Sequence, residues 1–168
     1  MRCIAADTDG GMIAIMKLTE LRVANFMTPN PITVEPEDSL LHALEIVRLR
    51  KVRRLPVTLG GVLVGFLTAG DLKRAEPSTL TDSQEHFQQV MEETPVSRIM
   101  IQNPETTTPE TPLVEAAEKL LESKYGGLPV VSDGRLVGVL TDTDLLRALV
   151  DILHAAAKTA HPAPGTGA

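Results

Sequence analysis

The phrase Leu67-Thr68-Ala69-Gly70-Asp71-Leu72 returns, 73 positions later, as Leu140-Thr141-Asp142-Thr143-Asp144-Leu145. The offset holds without a gap from Met27/Met100 to Arg74/Arg147, and about 22 of those 48 paired positions are identical. The matches include Asn30-Pro31 with Asn103-Pro104, Leu55-Pro56-Val57 with Leu128-Pro129-Val130, and Leu63-Val64-Gly65 with Leu136-Val137-Gly138. A chain that folds one unit twice stacks the copies to bury surface that neither hides alone. Each copy spans about 50 residues, marginal for an independent core, so the two are expected to share one. Stacked copies also enclose a cleft with two related pockets.

Each copy reads β-α-β-β-α. Ile32–Val34 is a short extended piece. Asp38 is expected to cap a helix from Ser39 to about Lys51. In the second copy Thr111 is the expected cap, with Pro112 at the first helical position, where a missing N–H is harmless. Leu113, Ala116, Ala117, Leu120 and Leu121 follow the spacing of one buried helical face, and Leu40, Ala43, Leu44 and Val47 repeat most of it. Two strands follow each helix, Leu55–Thr58 and Val62–Leu67, then Leu128–Val131 and Arg135–Leu140. Gly60-Gly61 and Asp133-Gly134 between them are hairpin turns. A last helix begins near Thr68 in one copy and near Thr141 in the other. The expected architecture is α/β (α+β), with the repeats packed sheet to sheet about a pseudo-twofold axis.

The expected divisions are an N-terminal extension over 1–19, a first repeat over 20–76, a linker over 77–95, a second repeat over 96–152 and a flexible tail over 153–168. A helix within Asp82–Glu93 puts Phe87, Val90 and Met91 on one face. It reads as a connector lying against the pair, or else as cover for a ligand or subunit contact. Met12–Met16 is either a short extra strand or part of an extension ahead of a natural start at Met16.

Composition narrows the function. The hydrophobic share of 43% and the charged share of 23% suit a soluble globular protein. Aromatic residues make up only 2%, so stacking platforms for single-stranded nucleic acid are nearly absent. A net charge of −6 disfavours broad phosphate-backbone binding. Cys3 is the single cysteine, which excludes an intrachain disulfide and fits a reducing cytoplasm. No membrane span or signal peptide is read, and a cytoplasmic location is expected. His42, His86, His154 and His161 show no metal-ligand spacing. No serine stands in a nucleophile elbow and no base is paired with a nucleophile, so no enzyme is expected.

Thr68-x-x-Asp71 and Thr141-x-x-Asp144 carry the candidate chemistry. Such a motif is a helix capping box, with reciprocal hydrogen bonds to free backbone amides. It also stands at a strand-to-helix corner, whose amides and positive dipole end suit a phosphate. A carboxylate there can accept both hydroxyls of a ribose. Cap and ligand site can be the same residues.

The order Met27-x-x-Asn30-Pro31-x-Thr33, an amphipathic helix, Leu55-Pro56-Val57 and Gly65-x-Leu67-Thr68-x-x-Asp71-Leu72, repeated from Met100 to Leu145, resembles a pair of cystathionine-β-synthase (CBS) domains, a Bateman module. The likeness covers roughly 20–150. The whole chain is similar to stand-alone CBS-pair proteins, including the acetoin-utilisation type. The resemblance implies a regulatory ligand containing adenosine (AMP, ADP, ATP, NAD or S-adenosylmethionine), no required cofactor, a homodimer and an unknown regulated protein. It implies ribose contacts from Asp71 and Asp144, and ribose or phosphate contacts from Thr68 and Thr141. Residues Pro31, Ile32, Thr33 and Val34, and their counterparts Pro104–Thr107, would edge the base, with Thr33 and Thr106 near the phosphate path. The first copy fits better, because Glu105 and Thr107 replace Ile32 and Val34 in the second.

Arg48, Arg50, Lys51, Arg53 and Arg54 are the one concentration of positive charge. Arg53 and Arg54 precede the Leu55 strand and are placed to meet a polyphosphate. Gly126-Gly127 in the second copy cannot do the same. The plain alternative is a solvated helix end, where cations meet the dipole. Two other functions stay open: a scaffold with an empty cleft, and a nucleic-acid-binding regulator using the arginine run.

Overall fold

A computed structural model describes residues 20–77, 83–124 and 126–160. The Met12–Met16 strand and the tail beyond 160 fall outside them. In chain order the elements are β1 (Thr28–Pro29), α1 (Leu40–Arg50), β2 (Arg54–Leu59), β3 (Val62–Thr68), α2 (Ala69–Ala75), α3 (Gln84–Glu93), β4 (Ile101–Gln102), α4 (Leu113–Glu122), β5 (Gly127–Ser132), β6 (Arg135–Thr141) and α5 (Asp142–Ala160). Both hairpins turn through left-handed backbone, at Gly60 and Gly61 (φ 59° and 83°) and at Asp133 and Gly134 (φ 50° and 75°). Positive φ at both central residues matches the twist of the flanking strands.

Both helix caps shift by a residue. Ser39, not Asp38, caps α1, its hydroxyl accepting from the His42 N–H at 3.1 Å. The Asp38 carboxylate instead accepts from the Glu35 N–H in the preceding turn, at 2.7 Å. Thr111 is likewise drawn back, accepting from the Thr108 N–H at 3.2 Å, so that Pro112 precedes a helix starting at Leu113. Leu121 is 87% exposed rather than buried. It lies roughly a quarter turn around α4 from the line through Leu113 and Leu120. Helix α5 runs to Ala160, into the 153–168 stretch expected to be a flexible tail.

The sheets do not follow the repeats. One has the order β2-β3-β4 and the other β1-β6-β5. Each repeat therefore lends its first strand to the sheet of the other. Thr28 and Pro29 pair with Val139 and Gly138, while Ile101 and Gln102 pair with Phe66 and Gly65. The chain then returns to its own repeat, where Val34 bridges Val57 and Thr107 bridges Val130. The bend is made at Asn30 (φ 47°) and Asn103 (φ 48°). Asparagine is one of the few residues with a side chain that tolerates this conformation. Gly65 and Gly138 admit the visiting strands. A Cβ on Gly65 would stand 3.2 Å from the Ile101 carbonyl oxygen and 2.5 Å from the Met100 sulfur, and Gly138 meets Thr28 and Met27 in the same way.

Two core clusters result, not the shared one expected. The first holds Val34, Leu40, Leu44, Leu55, Val57, Leu67 and Leu72, completed by Met91 and Val96 from beyond the first repeat. The second holds Leu113, Ala116, Leu120, Leu128, Val130, Leu140 and Ala148, completed by Leu21 and Val23 from the start of the first. Exchange of the leading segments gives each small core the apolar area it lacks alone. The linker helix α3 buries Met91 and packs Phe87 against the first cluster, as a connector would.

Candidate functional site in the cleft between repeats

Strand β3 ends at Thr68 and α2 begins at Ala69, so the capping residues stand at the cleft. Asp71 Oδ2 accepts from the Thr68 N–H at 2.9 Å and from the Thr68 hydroxyl at 2.6 Å. The Asp71 N–H donates back to Thr68 Oγ1 at 3.2 Å. Arg74 holds the other carboxylate oxygen. The second corner copies this, with 2.9 and 2.6 Å to Asp144 Oδ2, 3.3 Å in return and Arg147 at 3.4 Å. Neither carboxylate faces bulk solvent, with side-chain exposures of 13% for Asp71 and 7% for Asp144. Each is oriented by its own cap and keeps acceptor capacity on Oδ1.

The first corner opens on a cavity of about 700 Å³. That volume suits a small-molecule site. Arg53, Arg54, Thr68, Ala69, Gly70, Asp71 and Arg74 come from the first repeat, and Ile101, Glu105, Glu122, Ser123 and Lys124 from the second. Four cations thus face three carboxylates. Arg53 has no carboxylate partner among the described residues. From the rest of the arginine run, Arg48 pairs with Glu76 at 3.8 Å, and Arg50 is exposed.

The sequence-predicted site residues divide. Arg53, Arg54, Thr68 and Asp71 share the cavity. Pro31, Ile32, Thr33 and Val34 are not in its wall; the strand exchange carries Thr28–Pro29 to the second sheet before Val34 returns to the first. The Val34 side chain is 2% exposed and belongs to the first core. Thr106 is not in the cavity wall, but its neighbour Glu105 is. Thr141 and Asp144 form the separate second corner. The segment beside Asp71 is therefore 101–105, which moves Glu105 to the corner that seemed free of it.

Sequence reasoning also missed an ion pair. Arg54, the first residue of β2, reaches across to Asp142 at the start of α5, with Nη2 2.8 Å from Oδ2. Burial pushes the Asp142 carboxyl up, but the Arg54 guanidinium and the Thr143 N–H outweigh it and hold the group below its ordinary value of 3.8. The signal was present in the alignment of the repeats, as Asp142 opposite Ala69 and Gly126-Gly127 opposite Arg53-Arg54. Among the described residues no group of three or more His, Cys, Asp or Glu could hold a metal ion, and no helix is long and apolar enough to cross a membrane.

A model of the CBS domain matches residues 23–78 and again 96–151. The chain belongs to the CBS-domain family. Among solved structures it resembles CBSX2 of Arabidopsis thaliana in complex with AMP, at 34% identity and a TM-score of 0.67, covering 78% of this chain and 97% of that one. It also resembles a putative acetoin utilization protein (AcuB) of Vibrio cholerae, at 26% identity and a TM-score of 0.67, covering 86% and 98%. A third is the CBS domain pair of protein MJ0100 in complex with 5′-methylthioadenosine and S-adenosyl-L-methionine, at 26% identity and a TM-score of 0.64, covering 77% and 96%. The repeats, the crossed sheets and the inter-repeat cleft are therefore those of a CBS pair.

Proposed function

We propose that this CBS pair is a regulatory sensor that binds an adenosine-containing ligand in the cleft, at the Thr68–Asp71 corner. The observation that carries the reading is the cavity itself, where an oriented carboxylate, a threonine and arginines converge. Asp71 keeps acceptor capacity on Oδ1 for a ribose hydroxyl. Arg53, which has no carboxylate partner among the described residues, supplies donors for phosphate. The AMP and S-adenosyl-L-methionine complexes of similar pairs support the ligand class. Both repeats wall the cavity, so a ligand that favours one arrangement of them shifts the population toward it, and a partner protein can read that shift.

We also propose self-association through the second repeat. Helix α5 buries Ala148 and Ala155, yet exposes Leu146, Leu149, Val150 and Leu153 on its other side. An exposed apolar stripe of this kind on a helix needs a cover.

The test is a thermal-shift panel of AMP, ADP, ATP, NAD and S-adenosylmethionine on the full chain. A ligand at 100 times its dissociation constant stabilises by about 2.7 kcal/mol. At about 2–4 °C per kcal/mol for a chain of this size, the shift is readily seen. Asp71→Ala should abolish it. No shift with any of the five would favour the scaffold reading.

A further inference from the structure

The two corners share a phrase but not their charges. Position 69 is Ala69, which lines the first cavity; its counterpart in the second repeat is Asp142. The Asp142 carboxylate, on a side chain 55% exposed, meets three donors. It accepts from Arg54 Nη2 at 2.8 Å, from the Thr143 N–H at 2.7 Å and from the Thr143 hydroxyl at 3.2 Å. A guanidinium, a backbone amide in the first turn of a helix and a hydroxyl are groups from which proteins build phosphate sites. At this corner a protein carboxylate already holds all three.

The arginine is borrowed from the other repeat, 88 positions away. It reaches Asp142 because glycines stand where the first repeat has Arg53 and Arg54. A Cβ on Gly126 would lie 2.5 Å from Arg54 Nη2 and 2.9 Å from Asp142 Oδ2. A Cβ on Gly127 would lie 2.6 Å from Arg54 Cδ. A side chain at either position would push the arginine out. Gly126, Gly127, Arg54 and Asp142 therefore form one interlocked arrangement, and it breaks the pseudo-twofold symmetry. At the first corner Ala69 brings no charge, and the space beside it stays open as the cavity.

We infer that Asp142 is a built-in anion that fills the second corner, so that the chain takes one phosphate-bearing nucleotide, at the Asp71 corner alone. The inference rests on the nucleotide reading of the cleft. A phosphate arriving at the second corner has to displace Asp142 from Arg54 and then sits beside two carboxylates, Asp142 and Asp144. Like charges so placed oppose each other.

The experiment is a calorimetric titration of the full chain with AMP, reading the number bound per chain. Far-UV circular dichroism and thermal melting establish that each variant is folded. The wild type should bind one AMP. Asp142→Ala should bind two, the added one more weakly, because the donors at the second corner are released. Asp142→Asn keeps the size and removes the charge, and should also gain a second AMP if Asp142→Ala proves unstable. Ala69→Asp places a carboxylate at the first corner and should lose the original AMP. Two AMP bound by the wild type, or one bound equally by the wild type and the folded Asp142 variants, overturns the inference while leaving the nucleotide reading intact. No AMP bound by any variant, together with no thermal shift from ADP, ATP, NAD or S-adenosylmethionine, refutes the nucleotide reading and the inference with it.

Discussion

Thr107→Val should stabilise this protein. Thr107 is 3% exposed, and its hydroxyl is buried with no hydrogen-bond partner among the described residues. The first repeat has Val34 at the matching place, 2% exposed and within the core. The backbone is held alike in both. Val34 N–H donates to the Pro56 carbonyl at 3.2 Å and its carbonyl accepts from Thr58 N–H at 2.9 Å; Thr107 makes the same bonds to Pro129 and Val131 at 3.0 and 2.9 Å. Threonine and valine have the same branched shape, so the exchange changes the chemistry of one buried atom with little change of volume. A buried polar group without a partner costs about 1–3 kcal/mol. Thr107→Val should recover an amount of that order, raising the melting temperature by roughly 2–4 °C per kcal/mol. Val34→Thr should lower it by a similar amount. Urea titration of the three proteins measures both changes. A Thr107→Val protein no more stable than the wild type would mean that the hydroxyl is satisfied in solution, and the reasoning would fail.

Other outcomes follow from the same contacts. Gly65→Val or Gly138→Val should destabilise by about 1–3 kcal/mol in urea titration, because the new side chain presses on the visiting strand; an unchanged midpoint would deny that close approach. The Arg54–Asp142 pair depresses the carboxyl, so its stabilisation is present above the ordinary value of 3.8 and is lost as pH falls through the lower folded value. The stability gap between wild type and Asp142→Asn should therefore close in acid, and a gap constant down to pH 2 would contradict the pairing. Leu149→Glu/Leu153→Glu should turn a dimer into a monomer in sedimentation velocity, with the melting temperature little changed. A wild type that sediments as a monomer would reject self-association.

The hairpins, the helix faces and the capping boxes were legible because each rests on residues close in sequence. Gly60-Gly61 and Asp133-Gly134 demand a tight turn, and Thr68-x-x-Asp71 supplies both halves of its own cap. The strand exchange was not legible. Two residues of strand carry no periodicity, and nothing local distinguishes pairing with one sheet from pairing with the other. Its traces were Gly65 and Gly138, repeated because a backbone passes close by, and Met27 and Met100, repeated because they lie over those glycines. Missing the exchange put Ile32 and Val34 beside Asp71, where the structure places Ile101 and Glu105. Arg54 and Asp142 were hidden for a related reason: pairing across a pseudo-axis shows only as a mismatch between repeats.

The most direct test of the cleft reading is a titration of the ¹⁵N-labelled chain with AMP, followed by amide chemical shifts. Saturating changes should centre on Arg53, on Thr68 through Asp71 and on Ile101 through Glu105, drawing on both repeats at once. Spectra unmoved by AMP, or changes confined to the outer face of α5, would contradict an AMP site between the repeats.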